Sequence, residues 1–316
     1  MWSKLSIGWL MPELTLRQLE YFIAAADAGT VTAAAERLHL SQSALSMALS
    51  DLERAVKVQL FVRDRRGIRL TQVGKEVLTD ARRLVAGAAD LPNTAAEFQG
   101  SMSGSLVVGC YSTLSPLLLP PVLAEFAAAH PGVELSIVEG SQAMLEEQLR
   151  SGVLDVALMY DYERTNFTGD RGLVGQPVVT SPPYVLLPEG HALARRKQVT
   201  LQSLAEEPLI LFNLPPGGEY FLSLFADAGL EPHVRYRTTS YELVRSLVAR
   251  GLGYSILSQR TRIQVSYEER RFETRDLAGR HPGLTVHAVT LDGMQPTRRA
   301  RAFIAECRSC WSRPAG

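Results

Sequence analysis

A short stretch near the start of this chain carries polar side chains at a spacing that suits nucleic acid. Gln42, Ser43, Ser46 and Ser50 fall on the side of a helical pattern opposite Leu45, Leu49 and Leu52. They are short, uncharged and able to donate and accept. Such groups can read base edges and hold phosphates in a major groove about 12 Å wide. A cationic run follows. Arg54, Lys57, Arg63, Arg65, Arg66, Arg69 and Lys75 stand against Asp64 alone, a local net charge of +6. The whole chain is neutral, with 33 basic and 33 acidic side chains, so this is a local patch suited to phosphates. A polar helix face is often only solvated; the adjoining cations favour nucleic acid.

The elements that position these groups are legible. Residues 32–38 form a first helical pattern with a small apolar face of Ala34, Ala35 and Leu38. His39-Leu40-Ser41 breaks it, and residues 42–53 form the second. Ser41 is placed to cap that second helix through its hydroxyl. Small alanines let the two helices approach closely, as a helix-turn-helix requires. Residues 58–62 read as a helix end or a short strand. Gly67 falls where a tight turn belongs, and Ile68 and Leu70 alternate with Arg69 as in the second strand of a hairpin. That is the pattern of a wing. The expected DNA contacts are Ser41, Gln42, Ser43, Ser46, Arg63, Arg65 and Arg66.

Residues 72–98 form one long helical pattern in which Val77, Ala81, Leu84, Ala88, Leu91, Ala95 and Phe98 alternate by four and three. This stripe must be buried. The same helix of a second subunit is the expected cover, and a symmetric dimer would present two recognition helices to two half-sites. Packing within one chain is the alternative. Pro92 is expected to kink the helix or end a segment. A polar, flexible hinge is expected at residues 100–105. Strands and helices then alternate. Residues 106–110, 133–138 and 155–160 are strands separated by helices, a βαβαβ unit with a parallel sheet. A second unit places strands at 208–212, 233–238 and 254–257. Residues 184–187 and 284–289 are read as strands crossing between the units.

In open α/β sheets ligands bind beyond the carboxyl ends of the strands. Here those ends carry Ser112 and Thr113, Tyr160, Asn213 after Phe212, and Thr238 and Ser240, and a crossing segment adds Ser181. Hydroxyls at helix starts, with the free amides and partial positive charge of the helix N-terminus, suit a small anion such as a carboxylate. For any single hydroxyl, plain helix capping is the simpler reading. Their convergence on one cleft is the argument for a ligand. Tyr160, Tyr162, Phe212 and Tyr220 could line its walls, and the scarcity of cations beyond Arg164 and Arg237 argues against a multiply charged ligand. A small organic anion, with or without an aromatic ring, is the expected effector, and no other cofactor is expected.

Leu16-Arg17-Gln18-Leu19-Glu20-Tyr21-Phe22, residues 33–53, Val58-Gln59-Leu60-Phe61-Val62-Arg63 and Leu70-Thr71-Gln72-Val73-Gly74 together resemble the LysR-type transcriptional regulators. The resemblance covers nearly all of the chain from Leu14. One departure is Met47-Ala48, where members often carry polar residues, so only Gln42, Ser43, Ser46 and the wing arginines are carried over. The resemblance implies an α/β protein with an all-α-like winged helix-turn-helix domain, a long linker helix and a two-lobed, periplasmic-binding-protein-like effector domain. The expected division is a poorly ordered leader at 1–13, a DNA-binding domain at 14–71, a linker helix at 72–99 and the hinge at 100–105. The effector domain then runs over 106–316, with lobe I at 106–173 and 279–316 and lobe II at 174–278. It also implies promoter DNA as partner, a dimer through the linker helix assembling to a tetramer, and an effector that changes the angle between lobes or dimers. The family's last step is altered DNA bending and contact with RNA polymerase.

Other classes are disfavoured. Three cysteines without a paired framework point to a reducing cytoplasm, and Cys307-Arg-Ser-Cys310 has no second pair to complete a zinc site. No apolar run is long enough to cross a membrane. There is no Gly-rich phosphate loop, His-Glu-x-x-His or Gly-x-Ser-x-Gly, and the six histidines are scattered, so neither a catalytic nor a metal site is expected. A solute-binding protein would fit the second half alone, but would need no basic wing.

Overall fold

Thr15 opens the first helix with a reciprocal cap. Its hydroxyl accepts from the Gln18 N–H at 3.3 Å, and the Gln18 side chain accepts from the Thr15 N–H at 2.9 Å. This helix, α1, spans Leu16–Ala28 and stops at Gly29, whose φ of 68° is the left-handed conformation that glycine adopts without penalty. Thr30 then caps α2 (Val31–Arg37), and Ser41 caps α3 (Gln42–Val56) by accepting from the Ala44 N–H at 3.1 Å. The computed structural model describes residues 14–64, 67–97, 102–162, 167 and 172–312. It divides into two compact units, the first carrying α1–α3, the wing, the long helix and residues 150–153, the second the other residues from 102 onward.

In the first unit Leu45, Leu49 and Leu52 of α3 are buried with Phe22 of α1 and with Ala34 and Ala35 of α2. The wing is an antiparallel hairpin of β1 (Phe61–Asp64) and β2 (Gly67–Leu70). Strand pairing starts at Phe61 rather than Val58 because the Leu60 and Phe61 amides donate to the Glu53 carboxylate, at 2.8 and 3.1 Å. Gly67 lies in β2 with φ 132°, and a Cβ there would overlap the Gly29 carbonyl oxygen. That oxygen accepts from the Ile68 N–H at 2.9 Å, so glycine is what lets the wing sit against the α1–α2 turn.

Helix α4 (Gln72–Glu97) does not end at Pro92; the backbone stays helical for five residues beyond it. Proline forfeits one hydrogen bond, and the turns on both sides keep theirs. The start of its apolar stripe is covered within the chain. Leu78 and Ala81 are buried in the first unit's core with Val77 and Val85 packed against it. Leu84 and Leu91 stay 55% and 66% exposed.

The second unit begins with β3 (Ser103–Tyr111), α5 (Ser115–Ala129), β4 (Gly132–Gly140), α6 (Gln142–Arg150), β5 (Val156–Tyr160) and β6 (Leu173–Ser181). Residues 103–105 are therefore strand and not hinge. Their glycine and serines look flexible, but each residue is paired in register with β4, from Ser103 opposite Gly132. After these come β7 (Tyr184–Pro188), β8 (Gln198–Val199), α7 (Leu201–Ala205), β9 (Leu209–Phe212), α8 (Gly217–Ala226) and β10 (Val234–Thr238). The last elements are α9 (Tyr241–Ala249), β11 (Ser255–Leu257), β12 (Phe272–Leu277), β13 (Leu284–Leu291) and α10 (Arg298–Ser312).

One sheet has the order β4-β3-β5-β13-β6, with β4, β3 and β5 parallel and β13 antiparallel to both its neighbours. Strand β6 therefore belongs to the first lobe, although residues from 174 onward were expected in the second. Its pairing partner, β13, decides this. The second lobe holds β11-β7-β12-β8 and the parallel pair β10-β9, linked by a parallel bridge from Leu209 to Tyr254.

Candidate DNA interface and effector pocket

The exposed end of α3 carries Ser41, Gln42 and Ser43, with Ser46 half-buried one turn on. Ser41 Oγ lies 3.1 Å from Ser43 Oγ while also capping the helix. Ser50 donates to the Ser46 carbonyl at 2.9 Å, so its hydroxyl is turned back on the helix. Met47 is 65% exposed between these polar groups and offers an apolar contact of the kind a thymine methyl accepts. The wing reaches the same face. Arg63 Nη2 donates to Ser46 Oγ at 3.2 Å, tying a strand cation to the helix. Arg65 and Arg66 lie outside the described residues.

Among the described residues, two neighbouring cavities of the second unit bear on the expected site. The first, narrow at about 10 Å³, sits between the lobes and is lined by Thr113, Tyr160 and Tyr162 from one side and Phe212, Phe221, Tyr241 and Leu257 from the other, with Ser258 and Gln259. The second, about 210 Å³, shares Tyr160, Ser258 and Gln259 with it and extends past Ser181 to Arg260 and Trp311. Of the expected effector residues, Thr113, Tyr160 and Phe212 thus meet at one cavity, and Ser181 lines its neighbour.

Ser112, Asn213, Thr238 and Ser240 line neither cavity. Ser240 caps α9, accepting from the Leu243 N–H at 3.2 Å, and Thr238 Oγ1 accepts from the Ser240 N–H at 3.1 Å. Both hydroxyls thus do the capping work of a helix start. The Asn213 N–H donates to the Thr238 carbonyl at 2.8 Å, and the Ser112 N–H to the Gly140 carbonyl at 3.1 Å. Neither Ser112 nor Thr113 caps α5, which starts after Leu114 without a side-chain cap.

Tyrosine dominates the wall. Tyr160 and Tyr162 stand 5.2 Å apart between ring centroids, and Tyr111 packs edge-on against each. Burial pushes the Tyr111 hydroxyl up to about 12 and raises Tyr160 as well. These groups stay neutral and act as hydrogen-bonding edges of an aromatic surface. Tyr184 and Tyr241 both donate to the Gln259 carbonyl at 2.6 Å, fixing the segment that follows β11. Tyr220 instead donates to the Pro282 carbonyl at 2.8 Å. Sequence reasoning missed Tyr241, Ser258, Gln259 and Arg260. A signal was present, since residues 258–260 follow the carboxyl end of a strand read correctly.

Two of the three cysteines are buried, protonated thiols. Cys110 and Cys307 are buried, and burial pushes the Cys110 thiol up to about 12 and raises Cys307 further. A thiol so protonated is a poor nucleophile. Among the described residues, no cluster of His, Cys, Asp and Glu could hold a metal, and no helix is long and apolar enough to cross a membrane.

The LysR substrate binding domain family matches residues 99–311, and the bacterial regulatory helix-turn-helix protein, lysR family, matches residues 16–75. The chain belongs to the LysR family. It is a DNA-binding transcriptional regulator with a helix-turn-helix domain and an effector-binding α/β domain, and not an enzyme. The transcriptional regulator CfxR of Cupriavidus necator is 33% identical over 252 residues, covering 78% of this chain and 77% of that one. The structure of HinK, a LysR family regulator from Pseudomonas aeruginosa, matches at a TM-score of 0.62 and 34% identity, covering 93% of this chain and 98% of HinK. Full-length CbnR, solved with its target DNA, matches at 0.55 and 25% identity, covering 94% of this chain and 99% of CbnR. Nothing in these comparisons supports a solute-binding protein without a regulatory role.

Proposed function

We propose that α3 enters the major groove of promoter DNA, with Gln42, Ser43 and Ser46 at base edges or phosphates and Ser41 holding the helix start. Arg63, Arg65 and Arg66 of the wing supply backbone contacts, and the protein works in the cytoplasm. Two copies pair through the second half of α4, where Leu84 and Leu91 offer an uncovered apolar stripe, and two dimers form a tetramer. The domain division follows the same reading: a leader before Leu14, DNA-binding domain and wing to Thr71, linker helix beyond, then the effector domain. A small organic anion seated between the lobes shifts their angle, and through it DNA bending and contact with RNA polymerase.

The observation that carries the effector part is the inter-lobe cavity, where Thr113, Tyr160 and Phe212 from three separate strand ends share a wall with Tyr241. It is tested by screening small carboxylates by thermal shift on the full-length protein and titrating each hit against Thr113→Val and Tyr241→Phe. The reading predicts weaker binding in both variants, with the fold intact by circular dichroism. Unchanged affinity in both would remove the effector from this cavity.

A further inference from the structure

Helix α3 turns one large apolar side chain outward. Its core face is Leu45, Leu49 and Leu52, all buried. At about 100° per residue, the direction opposite that face falls on Ser43, Met47 and Arg54. Met47 stands exposed at its centre. A lone exposed methionine is ordinary on a protein surface; the neighbours set this one apart. The hydroxyls around it are committed within the protein. Ser41 Oγ caps the helix and meets Ser43 Oγ, Ser46 Oγ accepts from Arg63, and Ser50 donates to the Ser46 carbonyl. No lysine or arginine lies between Arg37 and Arg54, and Arg54, near the helix end, is paired with Asp51 at 2.9 Å. The bidentate Arg or Lys contact that selects guanine is therefore missing from the N-terminal turns of α3, the part that meets base edges. Gln42 and Met47 are the long side chains those turns present to solvent. Gln42 can bond a base edge, whereas Met47 can only exclude water. In the major groove the group that favours such a contact is the 5-methyl of thymine. Three rotatable bonds and a polarizable sulfur let methionine pack on it without fixed geometry.

We propose that Met47 is a specificity-determining residue that packs on the 5-methyl group of one thymine in each operator half-site. The inference rests on the reading that α3 enters the major groove, and adds to it a base preference set by apolar contact and not by hydrogen bonding. Adenine, guanine and cytosine offer no methyl at that place, so each of them weakens binding there.

The test compares two copies of the upstream intergenic fragment, one amplified with dTTP and one with dUTP. They pair identically and differ in the thymine methyls alone. Fluorescence anisotropy gives the affinity of the full-length protein for each, beside random DNA of equal length at the same salt concentration. The wild-type protein is expected to bind the thymine fragment more tightly by about fourfold per half-site, what burying one methyl contributes, and so by about 15-fold for a dimer on two. Met47→Ala should bring this ratio close to 1 by weakening binding to the thymine fragment, and Met47→Leu, which stays apolar, should retain it. Single thymine-to-uracil replacements should place the loss at one thymine in each half-site. Equal wild-type affinity for the two fragments, both held well above random DNA, would overturn the proposal and leave the reading of α3 standing. An undiminished ratio in Met47→Ala would overturn it too, by assigning the methyls to other side chains. Binding of neither fragment above random DNA would overturn the reading and the proposal together.

Discussion

Arg63 joins the wing to α3, because its guanidinium sits on a wing strand and bonds Ser46. A cation of this kind contributes mainly through phosphate. Arg63→Ala is expected to weaken binding to operator and unrelated DNA alike, and to lower the slope of log K against log salt by about 1. Gln42→Ala should act differently, costing about 1–3 kcal/mol of discrimination at one base position while leaving the salt slope alone. Fluorescence anisotropy over a salt series separates the two. A third residue sets a pH dependence. His287 is buried on β13, and burial holds its imidazole below the ordinary 6.5 against the opposing pull of Asp161 and a Thr285 backbone bond. As pH falls, the unfolded chain takes the proton first. The contribution is complete above about pH 6.5 and is lost as pH drops below that value. Melting temperatures from about pH 7.5 down to about pH 5 should fall, and His287→Leu should flatten the decline; an equal slope in the variant would contradict this. Residue roles were the least legible level of the sequence. Ser240 and Thr238 have the types and positions of ligand contacts, yet the hydroxyls are spent on the start of α9. Which oxygen faces the amides of its own helix is fixed only by the folded backbone.

Helix α4 is covered by the chain's own core along part of its length only. Its first turns pack Leu78 and Ala81 into the DNA-binding core, while Leu84 and Leu91 stay uncovered. Leu91→Glu should therefore shift the protein toward monomer in sedimentation velocity with little change in melting temperature of the DNA-binding core. Leu78→Ala should instead cost about 2–5 kcal/mol of stability, as core truncations do. Equal dissociation by both variants would count against this division. The heptad reading found the stripe, but periodicity shows only that a face needs cover and not whose atoms supply it. Strand β6 shows a second limit. Gly175 and Pro177 argue against a strand in the sequence, yet it sits at the sheet edge, and its pairing with β13 shifts register between Val286 and His287, opposite Pro177. Edges and bulges are where a proline fits a sheet. Strand β12 was hidden by its charges. Arg275 lies between β7 and β8, but its guanidinium bonds the Ala194 and Arg196 carbonyls, so its polarity marks a tether and not a loop. Where the pattern was regular, as from Ser41 to the wing and along β3 to β5, elements and order were legible because burial and capping dictate them locally.

At the scale of the whole molecule, the family assignment supplies the logic that joins a basic reading head to a ligand-binding half. A ligand shifts the regulator between arrangements only by its difference in affinity for them, and that difference is what would link effector chemistry to DNA geometry. Two recognition helices in a dimer call for two half-sites about one helical turn apart, or a multiple of that. Specific recognition is the claim on which the rest depends. The measurement that tests it most directly is binding of the purified full-length protein to the intergenic DNA upstream of its own gene, against random DNA of equal length, over a series of salt concentrations. The account predicts affinity in the range of about 10⁻⁸ M or tighter for that fragment, weakening steeply with salt and at least about 10³-fold above the random control. Equal affinity for both DNAs at every salt concentration would contradict it.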